Sequence, residues 1–465
     1  MAIDFGRNGG EGAVAEKRMP LWRRVLLVLV IAAMVAVAGL MLTAYLAGRQ
    51  LGREIVKISK RGEPVTFPDL RPGKTQGAAG EDANGCYIES LRQIRPDELG
   101  NLMKVNLFYR MNLLSLPASQ FPADLHEKVD QTLTKAKPIF AGIDKGSQLA
   151  LSGFDIGIMR GNQVCRGRLD IAQGAVCLLS LRTLDLILAG DGEGAAKSIM
   201  STLKLMRVFD TYPAIVVQGR KILCVGLVCS DIQLLLVQCR PSEDRLKQLQ
   251  SLLEDAFHSD SLEKMFLAER VYQLEIARNL IPKNVASRYL MADAPPLPER
   301  LELPAFTWHR MRMFVRSVKY LRDMAWLITV SRQPWPGPLN EIVDANTSLS
   351  IRSSRLLSVV TPLPRLTAIT LAAIRCTTTA VAIERYRLQY GGIPDSLNVI
   401  CPRFIESIPL DPFTGKPLLY SHDDESYTVY STGSNRVDDG GAITPSQGQT
   451  VALDSGIRIK RATAK

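Results

Sequence analysis

The side chains able to carry chemistry are few and scattered. Four histidines occur in 465 residues, His126, His258, His309 and His422, and no two are close in sequence. A histidine-rich metal site is therefore not expected. The eight cysteines (Cys86, Cys165, Cys177, Cys224, Cys229, Cys239, Cys376 and Cys401) form no C-x-x-C, so the spacing of zinc ribbons and thioredoxin-type sites is missing. Cys224 and Cys229 are about 140° apart on a helix and do not share a face. Buried apolar thiols are the expected use. On the oxidising side of a membrane, a pair such as Cys165 with Cys177 could form a disulfide. Glu263 and Glu269 fall on one expected helix, 261–279, about 120° out of line, and acidic pairs of this kind are common on ordinary helices. There is no G-x-S-x-G, no H-E-x-x-H, no P-loop and no strand-following G-x-G-x-x-G. A non-enzyme is favoured. The alternative is an enzyme whose site is assembled between helices and leaves no linear motif.

Composition narrows the class further. Apolar residues make up 46% and charged residues 22%, which excludes a wholly disordered or collagen-like chain. At ~150 residues per domain, two or three units are expected. Lys plus Arg is 57 against 46 Asp plus Glu, a net charge of +11 spread over a long chain, and this alone does not point to nucleic acid. Arg310, Arg312, Arg316, Lys319 and Arg322 give one expected helix a basic side. Aromatic side chains do not interleave with them, so single-stranded nucleic acid is not an expected partner. The plain reading is a solvated face opposite a core stripe; the functional one is contact with anionic lipid headgroups.

The elements that would position these residues start with a membrane segment. Val25 to Ala47 is 23 residues without a charge. As a helix it would be about 34 Å long, enough to cross a ~30 Å hydrocarbon core. A cleaved signal peptide fits less well, because its apolar region is shorter and candidate sites put Leu42, Tyr45 or Leu46 where a small residue is needed. An uncleaved anchor is expected, with the lipid bilayer as its first partner and envelope proteins as further ones. Arg7, Lys17, Arg18, Arg23 and Arg24 precede the span, and Arg49, Arg53, Lys57, Lys60 and Arg61 follow it. The cluster Lys17–Arg24 lies closer to the span, which favours a cytoplasmic tail over 1–24 and an extracytoplasmic bulk. Ile222–Val237 is also apolar, but it is short and contains Asp231; a buried core helix is expected there.

Residues 48–85 read as a juxtamembrane linker punctuated by Gly52, Gly62, Pro64, Pro68 and Pro72. From 86 to 335 an all-α helical domain of eight or so helices is expected. Its stripes are Leu181, Leu184, Leu188; Ile199, Leu203, Met206; and Met311, Phe314, Val318, Leu321, Ala325, Ile328. Gly190-Asp191-Gly192 would turn between an antiparallel pair. Residues 336–363, with Asn346, Thr347 and Ser348, read as a second linker. A long helix follows from about Pro364 to Tyr390. Short strands come after it, at Leu418–Tyr420, Ser426–Ser431 and Ile457–Ile459. The fold class expected is mainly α, with a small C-terminal α+β module holding an antiparallel sheet.

Three pieces of that module, IERYRLQYGGIPDSLNVI, IPLDPFTGKPLLY and YTVYSTGSNRVDDGG, make up a recognisable series. This resembles the C-terminal module of the major pseudopilins of type II secretion systems, as found in membrane-anchored, planctomycete-type bacterial proteins of unknown role. The resemblance covers about 364–461. It implies a helix packed on the sheet through Ile383, Tyr386 and Tyr390, stopped by Gly391-Gly392. In major pseudopilins the loop after the corresponding strand binds calcium, so the resemblance makes Asn435, Asp438 and Asp439 candidate ligands; oxygen donors on a Gly-rich loop suit a hard cation. Arg436 within the loop opposes this, and the plain reading is that Asp438 and Asp439 cap their own turn. A filament subunit is not implied, because the apolar helix lacks the pilin Phe and Glu. The functional expectation is a membrane-anchored envelope scaffold or interaction protein. An envelope enzyme and a secretion-system component are the alternatives.

Overall fold

The structure, a computed structural model, describes residues 20–70, 82–94, 106, 123–151, 154, 162–277, 318–344, 362–443 and 454–460. Met311 and Phe314 of the expected stripe lie outside these residues. So do Arg310, Arg312 and Arg316 of its basic side, Asn346–Ser348, and most of the expected cytoplasmic tail. The described chain is mainly helical, with a small antiparallel sheet near its C-terminal end.

Helix α1, Leu21–Lys60, runs for 40 residues without a break. Most of its large apolar side chains up to Leu46 are solvent-facing, with Val28, Leu29 and Val35 more than 60% exposed; further along, Leu51 and Ile58 are only 5% and 3% exposed. The linker expected from residue 48 therefore begins at Arg61. Gly52 reads as a breaker, yet Leu51, Ile55 and Ile58 recur at helical spacing and carry the helix past it.

The helical body follows as α2 (Ala83–Arg92), α3 (Ala123–Gly146), α4 (Asn162–Leu188), α5 (Gly192–Leu205), α6 (Ile215–Gln238), α7 (Glu243–Glu254), α8 (Ser261–Ala277) and α9 (318–331). Local chemistry sets the ends. Gly190 turns with φ 77°, and Asp191 caps α5 by accepting a hydrogen bond from the Gly194 amide at 2.8 Å. That turn folds α5 back on α4, burying Leu181 and Leu184 against Ile199, Leu203 and Met206. Each fully buried Leu or Ile contributes about 1.5–3 kcal/mol relative to exposure. Helix α6 is a core helix, as expected for 222–237: its Asp231 is buried and accepts from Ser180 Oγ at 3.1 Å.

Helix α10 (Leu363–Tyr390) ends at Gly391, whose φ of 83° is the left-handed conformation that lets a helix stop there. Strands β1 (Leu419–His422), β2 (Ser426–Ser431) and β3 (Ser455–Lys460) pair antiparallel in that order, with Tyr420 opposite Val429 and Val429 opposite Ile457. A Cβ on Gly456 would meet the Val429 carbonyl at 2.4 Å and Tyr430 Cβ at 2.6 Å, so this crossing requires glycine. Of the expected row on α10, Ile383 is fully buried in the core it shares with Tyr427 and Val429, while the two tyrosines face elsewhere. Cys376 approaches the Ser455 carbonyl, and Tyr427 Oη lies 3.2 Å from the Ala380 carbonyl and 3.0 Å from Glu384. Tyr386 and Tyr390 instead pack tilted against each other and edge-on with Phe404.

One apolar core runs through both regions. It joins α2 to α7 with α10 and the sheet. Arg385 on α10 ties them further, donating to Glu243 at 2.7 Å, Gln250 at 2.9 Å and the Phe404 carbonyl at 3.2 Å.

Candidate functional site

Polar groups are concentrated where α1 enters the body. Leu51 and Ile58 of α1 form one apolar cluster with Leu274 of α8 and Val318 and Leu321 of α9, with Ile55 and Val65 packed on it. Directly beyond the end of α1, Glu63 receives Arg270 at 2.6 Å, Arg332 at 3.1 Å and Arg61 at 3.4 Å. Arg270 is the largest fully buried side chain described; its second terminal nitrogen donates to the Pro64 carbonyl at 3.2 Å. Arg332 also binds Glu263 at 2.8 Å. Burial opposes the charge of Glu63, but hydrogen bonding and charge from Arg270, then Arg61 and Arg332, hold its carboxyl below the usual glutamate range.

A second buried acid sits beside this network. Glu269 is 8% exposed and accepts from Gln273 at 3.2 Å. Burial raises its pKa to about 7, against the lowering effect of that bond. Tyr320 of α9 is 3% exposed, and its hydroxyl has no hydrogen-bond partner. Burial, reinforced by the charge of Glu269, raises its pKa well above the ordinary phenol value. Arg270 Nε is likewise buried without a partner.

The acidic loop behaves differently. Asn435 Nδ2 donates to Asp439 at 2.7 Å, and its Oδ1 accepts from the Val437 amide at 3.1 Å. Asp438 Oδ1 accepts from the Gly440 amide at 2.9 Å and from Tyr430 Oη at 3.1 Å. The three candidate ligands thus close their own turn, with Arg436 in the left-handed region at φ 59°. Among the described residues no group of three His, Cys, Asp or Glu could hold a metal ion. The bonds made by these three side chains are those of a turn.

Two further buried acids lie near this loop. Asp411 is 2% exposed and accepts from the Phe413 amide, Thr414 Oγ1, Ser431 Oγ, and the Thr432 amide and Oγ1, all within 3.2 Å. It locks the turn before β1 to the end of β2. Asp454, also 2% exposed, accepts from the Gly441 amide at 2.8 Å and the Ala442 amide at 3.1 Å. Burial, with the charge of Asp439, keeps its pKa above the usual aspartate value despite these bonds. D-P turn chemistry marks the position of Asp411 but not its burial, and nothing in the sequence marks Asp454.

The remaining chemistry candidates stay apart. Cys165 and Cys177 lie on one helix, α4, twelve positions and about 18 Å apart, so they cannot bridge each other. None of the eight cysteines is disulfide-bonded. Burial raises the thiol of Cys229 to about 11 and that of Cys224 further still, which makes both inert at neutral pH. A cleft lined by Met206, Arg207, Asp210, Lys221 and Asp255 has a volume of about 10 Å³, room for one water and no substrate.

Comparison of the chain with known protein families, characterised proteins and solved structures gives no match.

Proposed function

We propose that this chain is a single-pass, membrane-anchored envelope protein that serves as a scaffold or interaction protein. Residues 1–24 lie in the cytoplasm, Val25–Ala47 cross the bilayer, and the helical body stands on the extracytoplasmic side. The observation carrying this reading is the change of environment along one helix. The apolar window of α1 is 0% buried, whereas the same helix is packed into the body from Leu51 onward. Burying that apolar surface in lipid removes an exposure that no water-soluble chain sustains.

Three other described helices are long and apolar enough to cross a membrane, but their windows are 72%, 56% and 78% buried within the protein, which supports one crossing. The segment from Leu363 to Lys460 is read as the pseudopilin-like module on its motifs and its helix-on-sheet arrangement. The test is protease accessibility of a C-terminal tag. Cleavage in spheroplasts but not in intact cells is expected; protection in both places the body in the cytoplasm and overturns the topology.

A second reading, an envelope enzyme working between α8 and α9, draws on Glu269 and Tyr320, a raised-pKa acid beside an unpartnered phenol. It requires that Glu269→Gln abolish a turnover shown by wild-type membranes on hydrolase substrates. Equal turnover removes it.

A further inference from the structure

The base of α1 has two faces. Leu51, Ile55 and Ile58 pack toward α8 and α9, while Arg49, Arg53, Lys57 and Lys60 are exposed. At 100° per residue these four cations fall within about 80° of one another. Helix α9 sits against the same stretch through Val318 and Leu321, and its exposed Lys319 and Arg322, three residues apart, share one face beside α1. A basic stripe on one helix is thus placed alongside a basic face on another. Among the described residues Glu54 pairs with Lys57 of the α1 stripe at 3.0 Å.

The height of this surface identifies its partner. Counting from Ala47 at 1.5 Å per residue, Arg49 stands about 3 Å and Arg53 about 9 Å beyond the hydrocarbon edge. The headgroup layer on one side is about 5–8 Å deep. Val318 and Leu321 pack with Leu51 and Ile58, about 6 and 16 Å beyond that edge, so Lys319, Arg322 and Lys57 lie within about a headgroup depth plus a Debye length of the hydrocarbon. We infer that Arg49, Arg53, Lys319 and Arg322 form a surface that recognises the phosphates of anionic lipids around the span, so that the body rests on the bilayer in a lipid-dependent way. This rests on the anchored reading above and adds the class of lipid to it. Each Lys or Arg near a charged bilayer surface contributes about 1 kcal/mol of attraction, enough for selection when several act together.

The experiment uses the full-length chain reconstituted in phosphatidylcholine vesicles carrying spin-labelled phosphatidylglycerol or spin-labelled phosphatidylcholine at trace level. Resistance to alkaline carbonate reports insertion separately from selection. The expected result is carbonate resistance with about a three-fold or greater preference for phosphatidylglycerol at the protein surface. That preference falls to near one in the variant Arg49→Gln/Arg53→Gln/Lys319→Gln/Arg322→Gln and in 0.5 M NaCl (about 4 Å screening). A control variant, Lys135→Gln/Lys137→Gln/Lys197→Gln/Lys247→Gln, removes four exposed cations elsewhere and keeps the preference. An inserted protein without preference, or a preference unchanged in the first variant, overturns the inference and leaves the anchor standing. Extraction by carbonate overturns the anchor itself.

Discussion

Glu63 at the foot of the body, its side chain 10% exposed, and the buried Asp411 beside the sheet are acids neutralised by different means. Glu63 meets three guanidinium groups, Arg61, Arg270 and Arg332. Asp411 takes five hydrogen bonds from amides and hydroxyls, while nearby Arg375 spends its own bond on the Leu410 carbonyl. The ion-pair solution joins segments some two hundred residues apart and can be undone by a proton. The amide solution shapes a local turn and does not depend on a distant partner. The first suits a docking joint, the second a rigid module.

The largest test of that contrast is Arg270→Ala. Removing it leaves Glu63 buried with Arg61 and Arg332 alone, at a cost of about 3–5 kcal/mol in urea unfolding of the micellar protein. Hydrogen exchange should rise in 61–70 and stay unchanged in 409–433. Asp411→Ala should do the reverse, at about 2–4 kcal/mol, because several buried donors lose their acceptor together. If both variants loosen both regions equally, the distinction between joint and module is wrong.

Protonation sharpens the comparison. Glu63 has a depressed folded pKa, so its contribution is complete above the ordinary glutamate range and is lost as pH falls through the folded value. Glu269 runs the other way. Its folded form keeps its proton up to about 7 while the unfolded chain releases it near 4.5, so stability falls as pH rises across that window and is flat above it. Glu269→Gln should therefore stabilise the protein at pH 8 by roughly 2–3 kcal/mol and leave it unaffected at pH 4, read from paired urea titrations. The smallest effect concerns the acidic loop. Arg436 occupies a left-handed backbone position, and Arg436→Gly should raise the thermal midpoint by a few degrees, equivalent to about 1 kcal/mol.

Legibility in the sequence followed the range of the interactions. The apolar run of α1, the Gly190-Asp191-Gly192 turn, the stop at Gly391 and the strand at Ser426–Ser431 are written in local spacing, and each stands where expected. The continuation of α1 to Lys60 was obscured because Gly52 and a basic face mask a three-residue apolar stripe. The junction could not be read at all. Glu63, Arg270 and Arg332 come from three separate segments, and each alone looks like a surface charge. Asp438 and Asp439 are visible as a motif, but only the surrounding amides show that their oxygens serve the turn. On α10, aromatic size points to Tyr386 and Tyr390 beside Ile383, whereas close approach to the strands falls to the smaller Cys376 and Ala380.

Helix α1 passes from its exposed apolar stretch into a packed interface without glycine-rich slack or any other joint. For a chain anchored as proposed, rod and body then move as one lever about 60 Å long on the α1 side. A thinner or thicker bilayer that changes the lean of the rod also swings the body attached to it, so lipid thickness is converted into the orientation of the body. Fluorescence distances from a labelled β1–β2 turn to the vesicle surface, taken across acyl chains of increasing length, would show that swing or its absence.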